Sequence, residues 1–399
     1  MFRRRTYLDF AAGVEGNPSS PHEEGRRAKQ MLEDARISIA RLIEVKPDDI
    51  IFTSGATEAN NLAIQGMKGF VNPSFDEGFT KPVHALYLPS AHASVVETMR
   101  AVGKRGVEVE PLPIRDGRVD CDALAKMIRP ETALVSMDAV CGETGTVWNT
   151  REVTHTVQSF FCSLEALQPL AKNLTVPRAF IHVDASQAPF TEKISRAHFS
   201  ADLLTLDGGK LGVRGIGCLV ANRTIPLSPI MYGGGQERGL RSGTENPEAA
   251  AKFAAALRAA ASGRDTFRLR AVSMRAELTR SISERIPNLY INEGAETAPH
   301  ILNISLPRSL PAGRQGDTDY LVAVLDEAGF AVSTRSACET DSREGSRAVY
   351  ALTRDRARAL STLRISWGPS TRESNLRRFA DELTRAVAFI DNAGRKSHY

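Results

Sequence analysis

One lysine, Lys210, stands among glycines in "LLTLDGGKLGVRGIG", directly after an apolar run. A Walker phosphate loop needs glycine five residues before its Gly-Lys pair and Ser or Thr after the lysine. Leu204 and Leu211 occupy those places. The dinucleotide fingerprint is excluded as well, because "GVRGIG" has the wrong glycine spacing. A lysine that ends an apolar strand is normally just solvated, and if this amine is used it serves another chemistry.

Four further stretches carry chemically useful groups. "HVDASQ" ends an apolar run with Asp184, where an aspartate is otherwise an ordinary helix cap. "SGATE", 54–58, reads as a strand–turn–helix whose free N–H groups suit an anion, although most such turns hold nothing. "SAH" places His92 at a helix start, where a structural role is common. "RSAC" sets Cys338 in a polar loop between Arg335 and Arg343, a setting that favours thiolate. Each is weak alone, and together they complete one chemistry. A lysine that bonds covalently, an acid for a pyridinium nitrogen and a helix N-terminus for a phosphate describe a pyridoxal phosphate site.

The elements that must position these groups follow from the apolar runs. "DIIFTSG", "HALYLPS", "TALVSMDAV", "AFIHVDASQ", "ADLLTLDGG" and "GIGCLVANR" read as strands, with helices from about Thr57 and through "SVVETMRAVGKRG". This alternation predicts an α/β domain with a mostly parallel sheet sandwiched by helices, and ligands beyond its strand ends. The helical "NPEAAAKFAAALRAAASGRD" leads to a smaller α+β domain. There "HILNISLP", "FAVST" and "LRISWG" read as strands, with helices near "DYLVAVLDEAG" and "LRRFADELTRAVAFI". The expected division is a large domain over 16–257 and a small one from 1–15 with 258–399.

Bulk properties are consistent with this picture. The 399 residues suffice for two domains, and a net charge of +4 carries no nucleic-acid footprint. No membrane span or signal peptide is legible. Five scattered cysteines without metal spacing fit a reduced cytoplasm, and no metal site is expected.

The chain resembles the class V aminotransferase family, of pyridoxal phosphate fold type I, and most closely its cysteine desulfurase branch. The shared words are "YLDFAA", "GNPSSPH", "IFTSGATEANNLAIQG", "HVDASQ", "GGKLGVRGIG", "GGGQERGLRSGT", "SACE" and "LRISWG", in the family's order and over nearly the whole chain. The resemblance implies a seven-stranded sheet in the large domain and a role for each matching residue. Lys210 would hold the cofactor and later move the proton at the substrate's α-carbon. Asp184 would pair with the ring nitrogen, Gln187 with the phenolate oxygen, and His92 would stack on the ring and shuttle protons. Thr57 and the N–H groups around Ala56 would cradle the phosphate. Thr244 would reach the phosphate of a partner subunit, which implies a homodimer. Arg364 would fork onto the substrate carboxylate. Cys338 would take sulfur from L-cysteine as a persulfide, leaving alanine, and pass it to an acceptor protein such as an iron–sulfur scaffold or a tRNA thiolation enzyme.

Four departures from the family's wording stand out. Asp207 and Gly209 replace a phosphate-contacting Ser and His, and Gly142 replaces an Asn that would touch the ring oxygen. A helix usual after "FAA" is missing, and a stretch around "SFFCSLEALQPLAKNLTVP" is extra. The alternatives to a desulfurase are a selenocysteine lyase or another class V activity, and a weakly active or inactive homologue that acts as a sulfur-transfer scaffold.

Overall fold

The computed structural model describes residues 6–14, 16–71, 82–167, 178–306, 315–334 and 345–396. Seven strands form the central sheet: β1 (Ile50–Thr53), β2 (His84–Tyr87), β3 (Glu108–Pro111), β4 (Thr132–Asp138), β5 (Phe180–Asp184), β6 (Leu203–Asp207) and β7 (Gly217–Ala221). Their spatial order is β1-β7-β6-β5-β4-β2-β3, and only β7 runs against its neighbours. Residue after residue of β7 and β6 is buried, which requires cover on both sheet faces. Helices α1 (Glu23–Leu42), α2 (Ala56–Gln65), α3 (Ala93–Gly103) and α4 (Thr150–Leu167) contribute to that cover. In α1 the buried positions Leu32, Ala35, Arg36, Ile39 and Ala40 recur at helical spacing, so one stripe faces the core.

The parallel strands end on one side of the sheet, and there the register brings acids together. Asp138 of β4 lies opposite Asp184 of β5, while Asp207 of β6 lies opposite Gly217 of β7. Helix α5 (Pro247–Arg285) serves two cores: Phe253 and Leu257 join the sheet's core, and Phe267, Met274 and Ile282 join the second. The second core also holds β9 (Ile301–Ser305) and β10 (Thr362–Ser366), which with β8 (Tyr290–Ile291) make an antiparallel sheet. Helices α6 (Gln315–Glu327) and α8 (Glu373–Lys396) pack on that sheet's core, and α7 (Arg347–Thr353) lies between them in the chain.

Two readings of the sequence change. "FAVST" makes only a single bridge, Ser333 to Arg364, instead of a strand. The seventh strand of the large sheet, Glu108–Pro111, is polar and exposed because it is an edge. "FAA" itself forms a short 3-10 turn, Phe10–Ala12, and among the described residues no helix stands between it and α1. Half of the extra stretch continues α4 to Leu167, and 168–177 lie outside the described residues.

Candidate active site

A cavity of about 370 Å³ opens at the ends of β1, β4, β5 and β6. It is lined by Ala56, Thr57, His92, Asp184, Gln187, Lys210 and Arg364, so seven of the nine expected site residues meet there. Thr244 is exposed on the loop before α5 and does not line it. Cys338, with Arg335 and Arg343, lies outside the described residues.

The anion cradle is the turn from β1 into α2. Gly55 sits at φ 153°, a conformation that side chains disfavour, and it frees the N–H groups of the first turn. Gly217 is required next to it, because a Cβ there would lie 2.8 Å from the Cα of Gly55. Glu58 closes the turn by accepting from the Ser54 N–H at 2.7 Å, and Arg241 donates to its other oxygen at 3.0 Å. The loop that carries Thr244 is thereby tied to the cradle. One feature opposes an anion here. Asp207 accepts from the Gly209 N–H at 3.2 Å, and the same oxygen would lie 3.4 Å from a Cβ on Gly55. Its carboxylate therefore caps the turn before Lys210 and also borders the cradle.

Asp184 is buried at the end of β5 with a donor on each oxygen. Ser186 N–H donates to Oδ1 at 2.9 Å and Asn60 Nδ2 to Oδ2 at 2.7 Å. Asn60 also donates to Ser94 Oγ at 2.9 Å, and Ser94 Oγ stands 2.8 Å from His92 Nδ1. Beneath the acid, His182 spans the sheet between Ser136 Oγ and Thr205 Oγ1, and burial pushes its ring pKa down.

Asp138 is a second buried acid on the cavity wall. Burial, then the neighbouring Asp184, push its carboxyl well above the usual carboxylate range. Cys141 also lines the wall, and burial raises its thiol to about 11. Gly142 turns out to be occupied space. A Cβ there would lie 2.7 Å from Gln187 Nε2, so the Gln187 amide fills the place of the missing side chain. Arg364 donates to the Gly142 carbonyl at 3.2 Å and so faces the same wall from the small sheet. Arg347, at the start of α7, lines the cavity and donates to the Ala91 carbonyl at 3.1 Å.

Sequence reasoning missed Asn60, Ser94, Asp138, Glu58 and Arg347. A signal existed for Asn60: it is a polar residue on the buried stripe of α2, between Ala59 and Leu62. For Ser94 the signal was its place two residues after a helix-capping histidine. Asp138 gave none, because an acid ending a buried strand is common.

The donor set fits pyridoxal phosphate. An anion cradle, an acid for a ring nitrogen, an amide for a ring oxygen and a lysine line one cavity, and the buried hydroxyls of Ser90 and Ser186 beside it have no partner among the described residues. Fold and constellation together define a pyridoxal phosphate enzyme. The chain belongs to the class-V aminotransferase family, whose profile matches residues 5–379. The mitosomal cysteine desulfurase of Encephalitozoon cuniculi is 34% identical over 387 residues, covering 95% of this chain and 82% of that protein. The cysteine desulfurase IscS of Dictyoglomus turgidum is 30% identical, covering 96% and 95%. A solved NifS-like protein superposes with a TM-score of 0.79 at 27% identity, over 95% of this chain and 93% of its own.

Proposed function

We propose that this protein is a pyridoxal-phosphate-dependent cysteine desulfurase that converts L-cysteine to L-alanine and passes the sulfur to an acceptor protein. The observation that carries the reading is the convergence of Lys210, Asp184, His92, Gln187 and Arg364 on one cavity in a chain of this family. Bound there, the cofactor supplies an electron sink for the carbanion at the substrate's α-carbon.

The chain's own groups do the rest. Arg364 receives the substrate carboxylate with a planar fork of donors. Asp184, held by Asn60 and Ser186, is the anion that keeps the ring nitrogen protonated. Gln187 donates to the ring oxygen from the space left by Gly142. The α2 N-terminus and Thr57 take the phosphate. Lys210 moves the proton at the α-carbon. Cys338 attacks the substrate sulfur as thiolate: the S–S bond forms as the Cβ–S bond breaks, the bonding pair stays with the carbon fragment, Cβ takes up a proton, and the fragment leaves as alanine.

Residues 16–257 make the cofactor-binding domain in this reading, and 1–15 with 258–399 the smaller one. The working unit is a homodimer, with Thr244 delivered to the partner's phosphate. What supports it is the exposure of Thr244 on a loop that Arg241 and Glu58 tie to the cradle. Light scattering should show a dimer, and a fully active monomer refutes it. Among the described residues no helix is long and apolar enough to cross a membrane, and no cluster of metal-binding side chains occurs. We place the protein in the cytoplasm, with an iron–sulfur scaffold or a tRNA thiolation enzyme as acceptor.

The test is direct. Protein purified with pyridoxal phosphate should release sulfide and alanine in equal amounts from L-cysteine with a reductant. Borohydride should fix the cofactor on the peptide that contains Lys210. No alanine under saturating cofactor favours a scaffold role, and a label on another lysine removes Lys210 from its place.

A further inference from the structure

The side chains of Asp184, Asn60, Ser94 and His92 form a continuous hydrogen-bonded line across β5, α2 and the start of α3. The direction of every proton along it can be derived. Asp184 accepts only, so Asn60 must turn its Nδ2 toward it. That amide's second hydrogen goes to Ser94 Oγ, which thereby becomes an acceptor from Asn60. The Ser94 hydroxyl donates to its other near neighbour, His92 Nδ1, at 2.8 Å, because the backbone donor on that same nitrogen leaves it only the accepting role. The Ser94 backbone N–H also donates to that nitrogen at 3.2 Å, because His92 caps α3. Two donors converge on Nδ1, so it carries no hydrogen.

We propose that Asp184, Asn60 and Ser94 hold His92 as the neutral imidazole with its hydrogen on Nε2. Resting on the reading that the cavity holds pyridoxal phosphate, this makes His92 a ring-facing plate and hydrogen-bond donor. A proton arriving at the ring would have to enter at Nδ1, against two N–H or O–H donors and the positive end of α3. The expected proton shuttle by His92 is thus replaced by a fixed donor, and proton acceptance falls to Lys210. Asn60 and Ser94 are positioning residues.

The test is nuclear magnetic resonance on the full chain with 15N-labelled histidine rings, with and without pyridoxal phosphate. The His92 signal is identified by its loss in His92→Gln. Its correlations should show a bare Nδ1 and a protonated Nε2. Ser94→Ala keeps the backbone donor but loses the hydroxyl, so the Nδ1 signal should shift and a minor second tautomer should appear, and Ser94→Thr should restore the wild-type signal. A hydrogen on Nδ1 in the wild-type chain overturns the proposal, and so does a Ser94→Ala spectrum unchanged at His92. Should Ser94→Ala fail to fold, the wild-type spectrum still decides. A chain that shows the expected tautomer yet binds no pyridoxal phosphate in a titration leaves the relay standing and overturns the cofactor reading instead.

Discussion

Cys338→Ser is expected to keep the cofactor's absorbance and to lose alanine formation from L-cysteine, with turnover falling to background. The structure strengthens the elimination behind this. A sulfur acceptor must react as thiolate. Cys141 and Cys218 are buried, and burial raises their thiols to about 11 and about 12. At neutral pH a thiol at 11 is ionised in only about one molecule in 10⁴. Cys121 is also raised by burial, and Cys162 is exposed on α4 away from the cavity. Cys338 itself lies outside the described residues, but the chain on both sides of it is placed. Ser333 bridges to Arg364, and Arg347 lines the cavity, so the described residues that flank it in sequence stand beside the site. Alanine measured by chromatography from wild-type and variant protein decides it. Undiminished turnover by the variant points to a lyase that needs no protein thiol.

Asp207→Ser combined with Gly209→His is expected to tighten pyridoxal phosphate binding at least tenfold. Asp207 borders the cradle through the oxygen that faces Gly55. Two like unit charges about 4 Å apart at an effective dielectric near 20 cost about 4 kcal/mol. Each ~1.4 kcal/mol is a factor of ten in affinity, so even a well-screened fraction is visible. The two changes belong together: a Cβ on Gly209 would lie 3.3 Å from Asp207 Oδ2, so a histidine alone would crowd the carboxylate. Titrating refolded apo-protein with the cofactor measures the difference. An unchanged or weaker dissociation constant in the double variant means that the cap to Gly209 already turns the charge away, and it sinks the repulsion argument.

The strands that build the site were legible because they are short, apolar and bounded by turn residues, as in "AFIHVDASQ" and "ADLLTLDGG". Glu108–Pro111 was not, since an exposed edge strand needs no apolar face. Helix α5 was recognised at its start but continues through Gly263 to Arg285. The individual site residues came from family wording, and seven of them converge. The relay could not be read this way. Asn60 and Asp184 are 124 positions apart, and Asn60 and Ser94 are 34 apart, so only the packing of α2 against β5 and α3 brings them together. Likewise Gly142 reads as a lost contact in the sequence, whereas in space it is room for Gln187.

The cradle strand β1 stands at the sheet edge, and its one neighbour there, β7, comes late in the chain. It is also fastened by a buried ion pair. Arg36 of α1 donates to both oxygens of Glu237, at 2.7 and 2.9 Å, and to the Ile50 carbonyl, while Glu237 accepts from the Phe52 N–H across 185 positions. A buried arginine without its carboxylate is strongly unfavourable. As the chain leaves the ribosome, β1 emerges early and has no strand to pair with, and Arg36 has no carboxylate from Glu237, until residues 217–237 follow. Contacts of such separation form late and slowly. The turn proposed to hold the phosphate is therefore among the last parts of the large domain to be completed, although its residues are among the first to be made, and on that proposal a nascent chain would not capture its cofactor before its own closing strand arrives.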